Sequence, residues 1–129
     1  MKKAAVMMGL VLAAMTPTLA QAAAEGQDLV VVAGPEGRLA ASALATGRYD
    51  AALRKLEPMQ VYGENDPARL INLGNAYAGV GRMTQAREAY RSARFAPETV
   101  LVLANGAEES SRTVAMRALS RLNPSYAMR

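Results

Sequence analysis

The sequence predicts a mainly α chain: two stacked helix pairs in the manner of an α-solenoid, then an extended segment and one more helix. The leading observation is a self-match at a spacing of 34 residues, in which Gly47-Arg48 recurs as Gly81-Arg82, Ala52 as Ala86, Leu39 as Leu73, and the bulky Leu56 slot becomes Tyr90. A fixed period of this size marks helix pairs, each too small to bury its apolar face alone. Second, Leu70, Leu73, Gly74 and Tyr77 fall at i, i+3, i+4 and i+7, one stripe of a helix. Third, the chain contains neither cysteine nor histidine, so disulfides and the usual zinc sites are absent and packing must hold the fold.

The first residues read differently. Lys2 and Lys3 precede an apolar run from Ala4 to Met15, Thr16-Pro17 ends it, and Ala20-Gln21-Ala22 places small residues where a signal peptidase reads. Residues 1–22 are therefore expected to be a secretory signal peptide. The run falls short of the roughly 20 residues a membrane span needs, leaving an uncleaved anchor as the lesser alternative. Cleavage after Ala22 would leave 107 residues with a formal charge of +2, enough for one domain with a modest core. Export to a bacterial periplasm is the expected localisation, with no stable membrane span after cleavage.

Residues 23–34 form a lead-in: a small, polar start, then the β-branched run Leu29 to Val32, closed by Gly34-Pro35. The repeat region is expected over 35–97. Its first helix runs from about Pro35 to Thr46, with Leu39, Ala40, Ala43 and Leu44 on one face, and Gly47 ends it. The second runs from about Tyr49 to Glu57, with Ala52, Leu53 and Leu56 inward and Pro58 stopping it. After the turn-rich Gly63 to Asp66, Asp66 is a credible N-cap ahead of Pro67. Gly74 within the third helix costs about 1 kcal/mol against alanine, which close approach of the returning helix would offset. Ala86, Tyr90 and Ala93 repeat the spacing on that returning helix.

A third copy fails, because the same offset puts Ser120 in the small packing slot and Pro124 where Tyr90 should stand. Residues 98–129 read instead as Val100 to Leu103 in a strand or extended segment, a turn at Asn105-Gly106, and a capping helix. Glu108, Glu109, Ser110 and Ser111 suit the start of that helix, and Ala115, Ala118, Leu119 and Leu122 make its stripe. A short helix over Thr99 to Ala104 is the alternative for the apolar run. Two repeats are usually too few to close a core, so pairing of Leu29–Val32 with Val100–Leu103, a homo-oligomer or a partner must cover the open faces.

The stretch from Pro67 to Pro97 resembles a tetratricopeptide repeat: L-x-x-L-G-x-x-Y over Leu70 to Tyr77, then G-R-x-x-x-A-x-x-x-Y-x-x-A from Gly81 to Ala93. Residues 33–66 resemble a weaker copy through Leu39, Gly47, Tyr49, Ala52 and Leu56. The resemblance implies a concave groove lined by the first helix of each pair. It places Asn72 and Asn75 in slots that can hold a peptide backbone, and Arg38 in the slot matching Asn72 one repeat earlier. The function it implies is a protein or peptide adaptor.

Chemistry is otherwise sparse. Without His or Cys no Ser-His or Cys-His pair can form, and no set of residues meets the nucleophile-and-base criteria, so no enzyme, cofactor or metal is expected. Once residues 1–22 are removed, 12 arginines stand against a single lysine, Lys55. Arg82, Arg87, Arg91 and Arg94 decorate one helix, and Arg112, Arg117 and Arg121 the last one. A basic surface binding anionic envelope polymers is the alternative function; a solvated helix face is the plainer account of these residues. Nucleic acid is not expected for an exported chain with so few aromatic residues.

Overall fold

The 34-residue period is written into the backbone. In the computed structural model, which describes residues 26, 28–32, 40–59 and 65–123, the same turn occurs twice. In the first, the Arg48 amide donates to the Ala43 carbonyl (2.8 Å) and the Gly47 amide to Leu44 (3.2 Å). In the second, Arg82 donates to Tyr77 (2.9 Å) and Gly81 to Ala78 (3.1 Å). This is the glycine-ended helix stop, with Gly47 and Gly81 at φ 72° and 83°. Arg48 and Arg82 then open the next helix with nearly the same dihedrals, φ −86° in both and ψ 65° and 71°.

Among the described residues the chain is mainly helical. Helix α1 (Ala41–Ala45) and α2 (Tyr49–Leu56) make the first pair, α2 running into a 3-10 turn at Glu57–Met59. Helices α3 (Pro67–Gly79) and α4 (Met83–Phe95) make the second. Asp66 caps α3 by accepting from the Ala68 amide at 3.1 Å. A short antiparallel hairpin of β1 (Val100–Val102) and β2 (Glu108–Ser110) follows, in the register Leu101 opposite Glu109, and leads into α5 (Ser111–Leu122).

Two expectations need correction. The first helix does not run back through Ala40, which sits in the left-handed region at φ 52°, a conformation that costs an L-residue about 1–2 kcal/mol and cannot propagate a right-handed helix. Of the expected helix start at Glu108 to Ser111, Ser110 stands at the N-cap position and Ser111 opens the last helix, but Glu108 and Glu109 lie outside it. With Ser110 they form β2, since Asn105-Gly106 turns the chain so that both edges of the loop can pair, with Gly106 at φ 85°. The hairpin also removes the helical alternative for the apolar run. It is closed at its base by Ser111, whose amide donates to the Thr99 carbonyl (2.8 Å) while its hydroxyl accepts from the Thr99 amide (3.1 Å).

Packing follows the small-and-large pattern. A Cβ on Gly74 would lie 2.4 Å from the Tyr90 ring, and one on Gly79 would lie 2.2 Å from the Tyr49 ring. Each glycine is a slot for a tyrosine of a neighbouring helix. The core has three parts: one between the first pair and α3, one joining α3, α4, the hairpin and α5 around Ile71, Leu101, Leu103 and Val114, and a smaller one of Ala86, Tyr90 and Ala118. No helix of the described residues is long and apolar enough to cross a membrane. The signal-peptide expectation falls on residues 1–22, outside the described part.

Candidate functional site: the asparagine clamp and the arginine faces

Asn72 and Asn75 of α3 hold an extended backbone, and it belongs to the same chain. Asn72 is fully buried. Its Oδ1 accepts from the Val31 amide at 2.9 Å while its Nδ2 donates to the Val31 carbonyl at 2.8 Å. One turn on, the Nδ2 of Asn75 donates to the Leu29 carbonyl at 2.9 Å. Tyr90, reaching across from α4, fixes that amide by donating its hydroxyl to the Asn75 Oδ1 at 2.6 Å. Burial pushes the Tyr90 hydroxyl well above its ordinary range, so it stays a proton donor.

The clamp works because of two matched periods. Along an extended segment, alternate residues turn their N–H and C=O groups to opposite edges. Residues 29 and 31 face the asparagines, and residues 30 and 32 face β1. The Ala104 amide donates to the Val30 carbonyl (2.8 Å) and the Val32 amide to the Val102 carbonyl (2.9 Å), around an antiparallel bridge between Val31 and Leu103. The segment is thus an extended stretch joined to the far side of β1 by one bridge, with its other edge closed by side-chain amides. Val30 enters the core of the first pair and Val31 that of the second, so the segment joins the two.

Its N-terminal end is fastened by charge. Asp28 forms an ion pair with Arg121, and the Arg117 guanidinium donates to the Asp28 carbonyl at 3.0 Å while also engaging Glu109. The Arg121 hydrogen bond holds the Asp28 carboxyl below its ordinary range, and the Arg117 hydrogen bond does the same for Glu109. At the far end of the hairpin base, Arg112 pairs with Glu98 at 3.2 Å. All three arginines of α5 are therefore matched to carboxylates of this chain.

Those of α4 are not. Arg87, Arg91 and Arg94 line an open trough of about 350 Å³ between α4 and α5 with Met116, Leu119 and Asn123. Among the described residues no carboxylate lies within ion-pair distance of them; Arg87 donates to the Asn123 side-chain oxygen at 2.9 Å. Arg82 belongs elsewhere. With Arg48 and Arg54 it lines a second depression, of about 700 Å³, beside the two repeated turns.

Of the residues singled out in the sequence, Asn72 and Asn75 are brought together on the extended segment at 29–31, and Arg38 lies outside the described residues. Sequence reasoning missed the partition of the arginines, whose only trace was the i, i+4, i+7 spacing of Arg87, Arg91 and Arg94 with one carboxylate, Glu88, on the same helix. No group of three or more potential metal-ligating side chains occurs among the described residues. No family model matches the chain, and neither a curated protein nor a solved structure matches it.

Proposed function

We propose that this chain is a small adaptor of tetratricopeptide type, exported to the periplasm, that holds a protein partner and performs no catalysis of its own. The observation that supports this most is the amide clamp. The first helix of the second pair presents Asn72 and Asn75, and those side chains grip an extended backbone without regard to its side chains. In this chain the gripped backbone is residues 29–31, so the adaptor's partner reaches it on another face or by replacing that segment.

The test is photocrosslinking in envelope-bearing cells that express the chain with its own first 22 residues. A crosslinkable residue is placed in turn at Arg54, Arg94 and Met116. Capture of a defined protein, together with a mature N-terminus at Ala23 by mass spectrometry, is the expected result. Capture of no protein from any position would overturn the adaptor reading. The alternative, a binder of anionic envelope polymers, draws on the uncompensated arginines of α4. Its binding should collapse with ionic strength, whereas contact with a partly apolar protein should persist.

A further inference from the structure

We propose that the trough between α4 and α5 is the partner-binding surface, and that its occupant is an acidic amphipathic helix of another protein. This rests on the adaptor reading above and names the site and chemistry that reading leaves open. Arg87, Arg91 and Arg94 stand one turn apart along one face of α4. Like charges at that spacing repel by a few tenths of a kcal/mol per pair. On α5 every arginine is offset by a carboxylate of the chain, while on this stripe none is among the described residues. The opposite wall is not charged: Met116, 49% exposed, and Leu119 give it apolar surface. Cations on one wall and aliphatic side chains on the other complement a ligand with carboxylates on one flank and apolar residues on the next.

Three features select a helix of a different protein. The arginine stripe spans eight residues, seven rises or about 10 Å of helix at about 1.5 Å each, and carboxylates at the same spacing on a facing helix would meet guanidinium groups in two-bond pairs. A second copy of this chain offers a poor match among the described residues: its one helical stretch with two carboxylates, Asp50 and Glu57 of α2 and the turn after it, has Glu57 already accepting from the Tyr77 hydroxyl at 3.0 Å. A plain polyanion would satisfy the arginines and leave Met116 and Leu119 in water.

The probe is a fluorescent 15-residue helical peptide of Glu, Leu and Ala, with Glu at i, i+4 and i+7 and Leu on the adjoining face. It is titrated into the mature chain and followed by anisotropy. Binding is expected to weaken about 30-fold or more in Arg91→Glu/Arg94→Glu, and about tenfold in Met116→Glu, while Arg54→Glu leaves it unchanged. A scrambled peptide of the same composition should bind at least fivefold more weakly. Arg91→Gln/Arg94→Gln, which replaces exposed side chains without reversing charge, should give an intermediate loss with unfolding midpoints within a few degrees of the parent. Binding within twofold of the parent in the charge-reversed variant would overturn the proposal. So would polyglutamate binding as tightly as the peptide with Met116→Glu silent, or phosphatidylglycerol vesicles capturing a chain that ignores the peptide. In cells, crosslinks from Met116 or Arg94 to a segment with carboxylates at helical spacing would support it. Crosslinks from Arg54 alone would leave the adaptor standing and remove the trough, and crosslinks from no position would remove both.

Discussion

Replacing Asn72 tests whether the extended segment around Val31 is a structural member held by side-chain amides. Both Asn72 and Val31 are fully buried, and the two bonds between them satisfy the amide and the carbonyl of Val31. In Asn72→Ala neither group has another partner on that edge. A buried polar group left unpaired costs about 1–3 kcal/mol, so the loss should be about 2–6 kcal/mol, before any cavity cost. Asn72→Leu separates the two, since it keeps the volume and removes only the polar groups. Both variants should lower the urea midpoint alike, and a 3 kcal/mol loss should move the thermal midpoint of a domain this size by roughly 10–20 °C. Hydrogen exchange supplies the local readout: the Val31 amide should lose protection at once, while Ile71 and Ala86 keep theirs relative to the new global stability. A loss below about 1 kcal/mol in both variants, with Val31 still protected, would show that water or a shifted segment satisfies these groups and would refute the reasoning.

Gly74→Ala should destabilise by about 1–3 kcal/mol in chemical denaturation, because its Cβ would fall 2.4 Å from the Tyr90 ring against a gain of under 1 kcal/mol in helix propensity. Gly81→Ala meets nothing within 4 Å but sits at φ 83°, so it should cost about 1 kcal/mol through backbone strain alone. Stability should also fall in acid. Asp28 and Glu109 have folded-state pKa values below their ordinary 3.8 and 4.5, so their contribution is present above those values and is lost as the pH falls through the lower, folded ones. Asp28→Asn should flatten that acid limb of the denaturation curve and leave the curve near neutral pH parallel to the parent. Phe95→Ser, by contrast, removes a side chain that is 78% exposed and should change stability by less than about 0.5 kcal/mol.

What the sequence made legible was whatever repeats or obeys a local rule. The glycine stops at Gly47 and Gly81, the Asp66 cap ahead of Pro67 and the Gly74 slot each follow from the backbone needs of one or two residues, and each has its expected place. The first helix was over-extended because Ala40 carries a good helix former's side chain, while tertiary packing holds it left-handed and nearly fully buried. The second strand was missed for a similar reason. Glu108-Glu109-Ser110 has the composition of a helix start, and only the pairing partner across Asn105-Gly106 makes it a strand. At the candidate site, the slots of Asn72 and Asn75 could be read, but not what fills them. A carboxamide bonds any backbone, so its sequence position carries no information about whose backbone it meets. The division of the arginines was hidden for want of distances, since Arg117 and Arg121 find Asp28 about 90 residues away.

These two findings bear on how the two helix pairs are held together. Two helix pairs leave the inner face of α3 and the outer face of α4 without neighbours. Here the inner face is covered by residues 28–32 and the outer by the hairpin and α5, all joined around Val31, Ile71, Leu101 and Val114. The segment that does this is fixed at one edge by Asn72 and Asn75 and at its start by Asp28, bonds that together tie residue 28 to α5 and residue 31 to α3. The residues that resemble a peptide-binding site are thereby committed to the fold, and Asp28, Glu109 and Glu98 are taken up by the arginines of α5. Among the described residues the α4 stripe is left without a counter-charge. Asp28→Arg should separate the two roles: it should weaken the segment's hold on α5 and lower stability, while the acidic peptide's affinity for Arg91 and Arg94 stays within about twofold.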